Sequence, residues 1–210
     1  MNVDKENLMA QLSALALVCT LSPSPTPSSS ETMARHVLAE LEKHDVRTSS
    51  VRVVDYDVAP GVATDMGGGD QWPELRRQVL AADVVVIASP IWLGHPASVT
   101  QRVLERLNAE SSETDDQGRP ILYGKVGLVA VVGNEDGAHK VTADVMQGLN
   151  DVGFTLPAQG GTYWVGEAMQ KVDYQDLEGI PEIVATTTAN AARNAAHLAR
   201  TLREVEYPAP

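Results

Sequence analysis

The residues best suited to chemistry gather where the chain reads Thr20-Leu21-Ser22-Pro23-Ser24-Pro25-Thr26-Pro27-Ser28-Ser29-Ser30. A helical pattern follows at once, with Met33, Val37, Leu38 and Leu41 on one face. The first turn of a helix leaves backbone N–H groups unpaired, and its dipole favours negative charge. Serine and threonine hydroxyls add neutral donors, each worth about 1.5–3 kcal/mol toward a charged acceptor. Prolines 23, 25 and 27 keep the loop extended and offer no competing N–H. These features describe a phosphate cradle. The competing reading is a flexible Ser/Pro linker that ends in a capping box from Ser28 to Glu31.

Two other loops carry chemistry-bearing residues. In Ser89-Pro90-Ile91-Trp92-Leu93-Gly94-His95-Pro96-Ala97, two prolines and a glycine fix the path. Ile91, Trp92 and Leu93 give a flat aromatic ring a surface to stack on; alternatively they cap the core or an interface. In Gly133-Asn134-Glu135-Asp136-Gly137-Ala138-His139, the glycines permit close backbone approach to an electron-rich ring edge. Asp136 equally suits the N-cap of a following helix. His139 reads either as a direct participant or as an exposed first-turn histidine, and Tyr163 and Trp164 as lining either a pocket or an interface.

The elements that must position these loops alternate. Apolar runs predict strands at 14–19, 51–55, 84–88 and 126–132, with a fifth beginning at 154–156. Helical patterns follow at about 30–44, 72–81, 97–107, from Val141 through Leu149, and from Pro181 to about Leu202. The shorter, more mixed second strand suits a sheet edge. Gly67-Gly68-Gly69 follows no strand, which removes a dinucleotide role. Continuous rather than alternating apolar strands indicate a parallel sheet with helices on both faces. Ligands of such sheets bind beyond the carboxyl ends of the strands, where all three loops leave.

Composition excludes several classes. A chain of 210 residues fits one domain. Residues 1–13 read as a polar lead-in, and 14–210 as a single ligand-binding domain. A net charge of −12 with no basic run argues against nucleic acid. The one cysteine, Cys19, fits a reducing compartment and ends an apolar strand, so it reads as a buried, inert thiol. The N-terminus lacks the positive charge of a signal peptide, and no stretch approaches a membrane span. A cytoplasmic protein without membrane contact is expected. No metal-spaced cluster, catalytic triad or Walker loop is present in the sequence.

The three loops resemble those of the flavodoxin-like NAD(P)H-dependent FMN reductase and quinone reductase group. The likeness rests on the 20–30 loop, Ser89-Pro90-Ile91-Trp92-x-Gly94, and Gly133-Asn134-Glu135-Asp136-Gly137-Ala138-His139. It implies a doubly wound five-stranded parallel sheet in the order 2-1-3-4-5, with FMN as cofactor and NAD(P)H as co-substrate. By that resemblance Thr20, Ser22, Ser28, Ser29 and Ser30 hold the phosphate. Pro90, Ile91, Trp92, Leu93 and Gly94 would flank the isoalloxazine ring on one side, and Asn134, Glu135, Asp136 and Gly137 on another. The flavin N5 would carry the hydride to a quinone, flavin or similar small acceptor, and no side chain need be catalytic. Homodimers or higher homo-oligomers are common in the group. Flavodoxins proper carry a glycine-asparagine-threonine signature where this loop has serine and proline. That departure weights the reductase over the alternatives, an electron carrier or a non-catalytic FMN-binding protein.

Overall fold

The structure is a computed structural model and describes residues 11–168 and 170–210. Most of the expected lead-in, residues 1–10, lies outside the described residues. Five parallel strands form the sheet: β1 (Leu12–Val18), β2 (Val46–Arg52), β3 (Val84–Trp92), β4 (Val126–Gly133) and β5 (Gly161–Val165). Their order is 2-1-3-4-5, and His95–Pro96 folds back antiparallel onto the end of β3. The helices are α1 (Ser29–Glu42), α2 (Trp72–Ala81), α3 (Ser98–Leu107), α4 (Ala138–Asp151) and α5 (Glu182–Glu204).

Alternate strand residues point to opposite faces. Ala14, Ala16, Ala88 and Ala130 face α1 and the alanine row 191, 192, 195, 196 and 199 of α5. Small residues on both partners let this layer pack closely. Leu15, Leu17, Val85, Ile87, Val129 and Val131 face α2, α3 and α4 instead. The order reverses between β1 and β3, which puts the switch point at their carboxyl ends.

Three strands differ from the sequence reading. β2 runs from Val46 rather than 51, and Val53–Asp55 is a 3-10 turn. It pairs only with β1, and its consecutive polar residues Arg47, Thr48, Ser49 and Ser50 are exposed or half-buried. β3 continues through Pro90 to Trp92, paired with β4 as far as Pro90 and then with His95–Pro96, while its pairing with β1 ends at Ala88. Beyond Ala88 one side of β3 is bare, and a proline lacking an N–H is tolerated there. The segment at 154–156 is not a strand. Thr155 makes a single bridge to Val126, and the chain turns at Pro157 before entering the sheet at Gly161.

Candidate functional site

A cleft of about 330 Å³ opens beyond the carboxyl ends of β1, β3 and β4. That volume lies within the range of about 300–1,000 Å³ usual for small-molecule sites. One wall is the 20–30 loop, where Thr20, Ser22, Ser28, Ser29 and Ser30 all line the cleft. Ser28 is the N-cap of α1, and its Oγ accepts the Glu31 N–H at 3.3 Å. The other half of the expected capping box does not form, because the Glu31 carboxylate turns to Arg52 (2.7 Å). The first intrahelical bond runs from Thr32 N to Ser28 O, which leaves the N–H groups of Ser29 and Ser30 outside the helical ladder.

Three of the five hydroxyls act as acceptors, not as donors. Thr20 Oγ1 accepts Ser22 N, Ser28 Oγ accepts Glu31 N, and Ser29 Oγ accepts Gln175 N, each at 3.3 Å. Among the described residues none of these hydroxyls donates to a protein acceptor, so each O–H hydrogen is available to the cleft. A donor set of this kind fits a phosphate ester without any lysine or arginine in the lining.

The second loop is anchored by Ser89, which is fully buried; its Oγ accepts Thr100 Oγ1 at 2.7 Å and Ala97 N at 3.3 Å. Pro90, Ile91 and Trp92 line the cleft. Ile91 is also part of the core at 4% exposure, whereas Trp92 is half exposed. Leu93 and Gly94 lie off the lining. They form the tip of the turn into His95–Pro96, both with positive φ (52° and 73°), and Leu93 projects outward at 88% exposure.

From the third loop Asn134 and Glu135 line the cleft, while Asp136 and Gly137 do not. The N-cap of α4 is Gly137 at φ 129°, not Asp136. A Cβ on Gly137 would stand 2.7 Å from Gly94 Cα, and Gly94 N donates to Glu135 Oε1 at 3.2 Å. Gly94 and Gly137 therefore shape the site by letting two loops touch backbone to backbone.

Trp164, left open by the sequence, lines the cleft, and Tyr163 does not. Tyr163 instead meets His139 edge-on, with its OH 3.0 Å from Nε2. Two features carried no local signal in the sequence. Asp173, Tyr174 and Gln175 come from the segment before α5 and close one side of the cleft. Asn134 Nδ2 donates to Asp173 at 2.8 Å, and the buried Tyr174 places its OH 2.8 Å from His36 Nδ1 on α1. Burial raises the Tyr174 phenol to about 12. It also lowers His36, with the Arg35 charge adding to the effect. The second feature is Arg52 at the end of β2, 6% exposed, which braces the 20–30 loop from behind. Among the described residues no group of three or more metal-ligating side chains occurs, and no helix is long and apolar enough to cross a membrane.

The chain is 37% identical over 199 residues to the divalent metal cation transporter MntH of Mycobacterium bovis, covering 91% of this chain but spanning only 29% of that protein. It is 32% identical over 206 residues to 8-demethyl-8-aminoriboflavin-5'-phosphate synthase of Streptomyces davaonensis, covering 93% of this chain and 80% of that one. Its backbone is similar to the crystal structure of RosB with bound 8-demethyl-8-formylriboflavin-5'-phosphate, at TM-score 0.85 and 32% identity, covering 93% of this chain and 82% of that chain. The model of the NADPH-dependent FMN reductase family matches residues 14–170, and the chain belongs to that family.

Proposed function

We propose that residues 14–210 form one FMN-binding unit that takes a hydride from NAD(P)H and passes it to a quinone, a flavin or a similar small acceptor. One observation carries this reading. Three loops converge on a single cleft, and its helix N-terminus presents hydroxyl hydrogens and amides with no protein acceptor among the described residues. In this reading Thr20, Ser22, Ser28, Ser29 and Ser30 bind the phosphate. Pro90, Ile91 and Trp92 flank the ring on one side, and Asn134 and Glu135 approach its polar edge. Leu93, Gly94, Asp136 and Gly137 act indirectly, by fixing how the second and third loops meet. Bound FMN supplies the hydride chemistry at N5, so the chain itself need only bind, orient and partly cover it. Homo-oligomerisation belongs to the same reading, with the exposed Trp92, Leu93 and Leu21 as the apolar rim to be covered.

A second reading has its own support in the relative that synthesises 8-demethyl-8-aminoriboflavin-5'-phosphate. There a flavin phosphate is the product, and in the RosB crystal structure one is a bound intermediate, so the same cradle would hold a flavin phosphate that is itself transformed. Adding FMN to the purified protein and then NADPH or NADH without air, with a parallel aerobic incubation of FMN and an amine donor read by flavin mass, separates these. Rapid bleaching of bound flavin with its mass unchanged supports the reductase. A flavin of altered mass supports ring modification, and a flavin that stays oxidised until a partner reductase is added supports the carrier.

A further inference from the structure

We infer that Arg52 is the positioning residue that makes the 20–30 loop selective for a phosphorylated flavin, although it lies outside the cleft. The inference rests on the phosphate reading above and adds what keeps an all-neutral cradle working on an acidic protein.

The Arg52 side chain is 4% exposed and makes three bonds. Nη1 donates to Ser22 O at 3.2 Å and Thr26 O at 2.8 Å, and Nη2 donates to Glu31 Oε2 at 2.7 Å. The two carbonyls share a property: each precedes a proline, Pro23 or Pro27. An X–Pro peptide has an acceptor and no donor, so if it turned toward an anion it could only repel. Arg52 is not part of the cleft lining, so the carbonyls bonded to it are drawn away from the ligand side. The third bond handles charge. Glu31 occupies the third helical position of α1, where a carboxylate ordinarily folds back toward the N-cap amide. There it would compete with phosphate for the amides of the first turn. Arg52 holds it off and neutralises it. Among the described residues Arg52 Nε is buried without a hydrogen-bond partner, so all three bonds are made by Nη1 and Nη2.

Removing Arg52 therefore frees two carbonyls and one carboxylate beside the cradle. Only a ligand with a phosphate feels this, which supplies the test. Kd values for FMN and for riboflavin, which lacks the phosphate, are measured by flavin fluorescence quenching on the wild-type chain and on R52M, R52K, E31Q and R52M/E31Q. The wild type is expected to prefer FMN. R52M should lose roughly tenfold or more of FMN affinity with riboflavin affinity unchanged. R52K should fall between, since one ammonium cannot span three acceptors. E31Q alone should change little, and in the R52M background it should recover part of the FMN loss. Equal weakening of both ligands in R52M would overturn the inference in favour of a general structural role. Unchanged FMN affinity would overturn it too. If R52M does not fold, R52K decides by the same FMN-to-riboflavin ratio, and no change in that ratio overturns the inference. A wild type that binds both ligands equally would sink the phosphate reading itself and the role of Arg52 with it.

Discussion

At the residue scale the site depends on groups that do two jobs at once. Ser28 Oγ caps α1 through Glu31 N and keeps its hydrogen for the cleft. Ser28→Ala is expected to cost about 0.5–2 kcal/mol of stability, as lost caps do. It should also weaken FMN more than riboflavin, measured by denaturant melts and paired titrations; equal weakening would reduce Ser28 to a cap. Gly137 answers to geometry alone. Its φ of 129° and the 2.7 Å approach of Gly94 Cα leave no room for a methyl group. Gly137→Ala should destabilise the fold by about 1–3 kcal/mol and spread the second and third loops, weakening FMN and riboflavin alike. A variant as stable as the wild type would refute the close-contact role. The serine loop was legible because its donors are local, contiguous and next to a helix start. Arg52 was not, since a lone arginine ending a polar strand looks the same whether it faces solvent or braces a loop thirty residues away in sequence.

At the element scale, what the chain hid was the strap at 173–177. It is tied to the third loop through Asp173, to α1 through Ser29, and to His36 through Tyr174. Nothing in its acidic, turn-rich sequence marks it as part of a site, because its partners come from elements far away in the chain. A neutral imidazole accepts the phenolic proton of Tyr174, and a protonated one cannot. Burial, with Arg35 adding to it, depresses folded His36 below its ordinary 6.5. Below that value the unfolded chain takes up the proton before the folded one does, so stability falls as pH drops from about 6.5. The strap should loosen over the same window, seen as faster amide exchange in 173–177, and His36→Gln should flatten the pH response. An unchanged response in that variant would move the effect elsewhere. Two of the strands misplaced by sequence, β2 and β5, share one cause. Apolar density marks buried strands such as β1 and β4, but β2 is a polar edge and β5 opens on Gly160-Gly161, residues that read as a turn. Gly161 is there because α4 is close: a Cβ would sit 3.0 Å from Thr142 Cγ2.

At the scale of the whole molecule the layer architecture was readable, since five strand-helix alternations with doubly buried strands leave few other arrangements. Its charge has a consequence for the ligand. A dianionic phosphate approaching a chain of net charge −12 meets a repulsive field that salt screens. FMN association should therefore speed up with ionic strength while riboflavin association stays flat, as stopped-flow quenching would record. A slower FMN on-rate in salt would mean a local positive field governs entry. At alkaline pH the core itself becomes the charge problem. Cys19 is buried at the end of β1, and burial pushes its thiol from 9.0 to about 12, although the Thr100 hydroxyl works the other way. Tyr174 is likewise raised by burial from 10.0 to about 12. Both lose their protons in the unfolded chain first, so the stability tied to their neutral forms declines from about pH 9 and is gone above about pH 12. Lys125 works the other way. Burial depresses its ammonium, with Asp83 opposing that, so deprotonation on the way up to 10.5 relieves a cost in the folded state. Two buried acids against one buried amine give a net fall, and Cys19 has the larger displacement of the two acids. Denaturation midpoints should drop between pH 9 and 11. Cys19→Ala, whatever its stability at neutral pH, should flatten that slope, whereas Lys125→Met should steepen it. An alkaline slope left untouched by Cys19→Ala would show that the thiol is reached by solvent in the folded chain, and that the carboxyl end of β1 is open where this structure closes it.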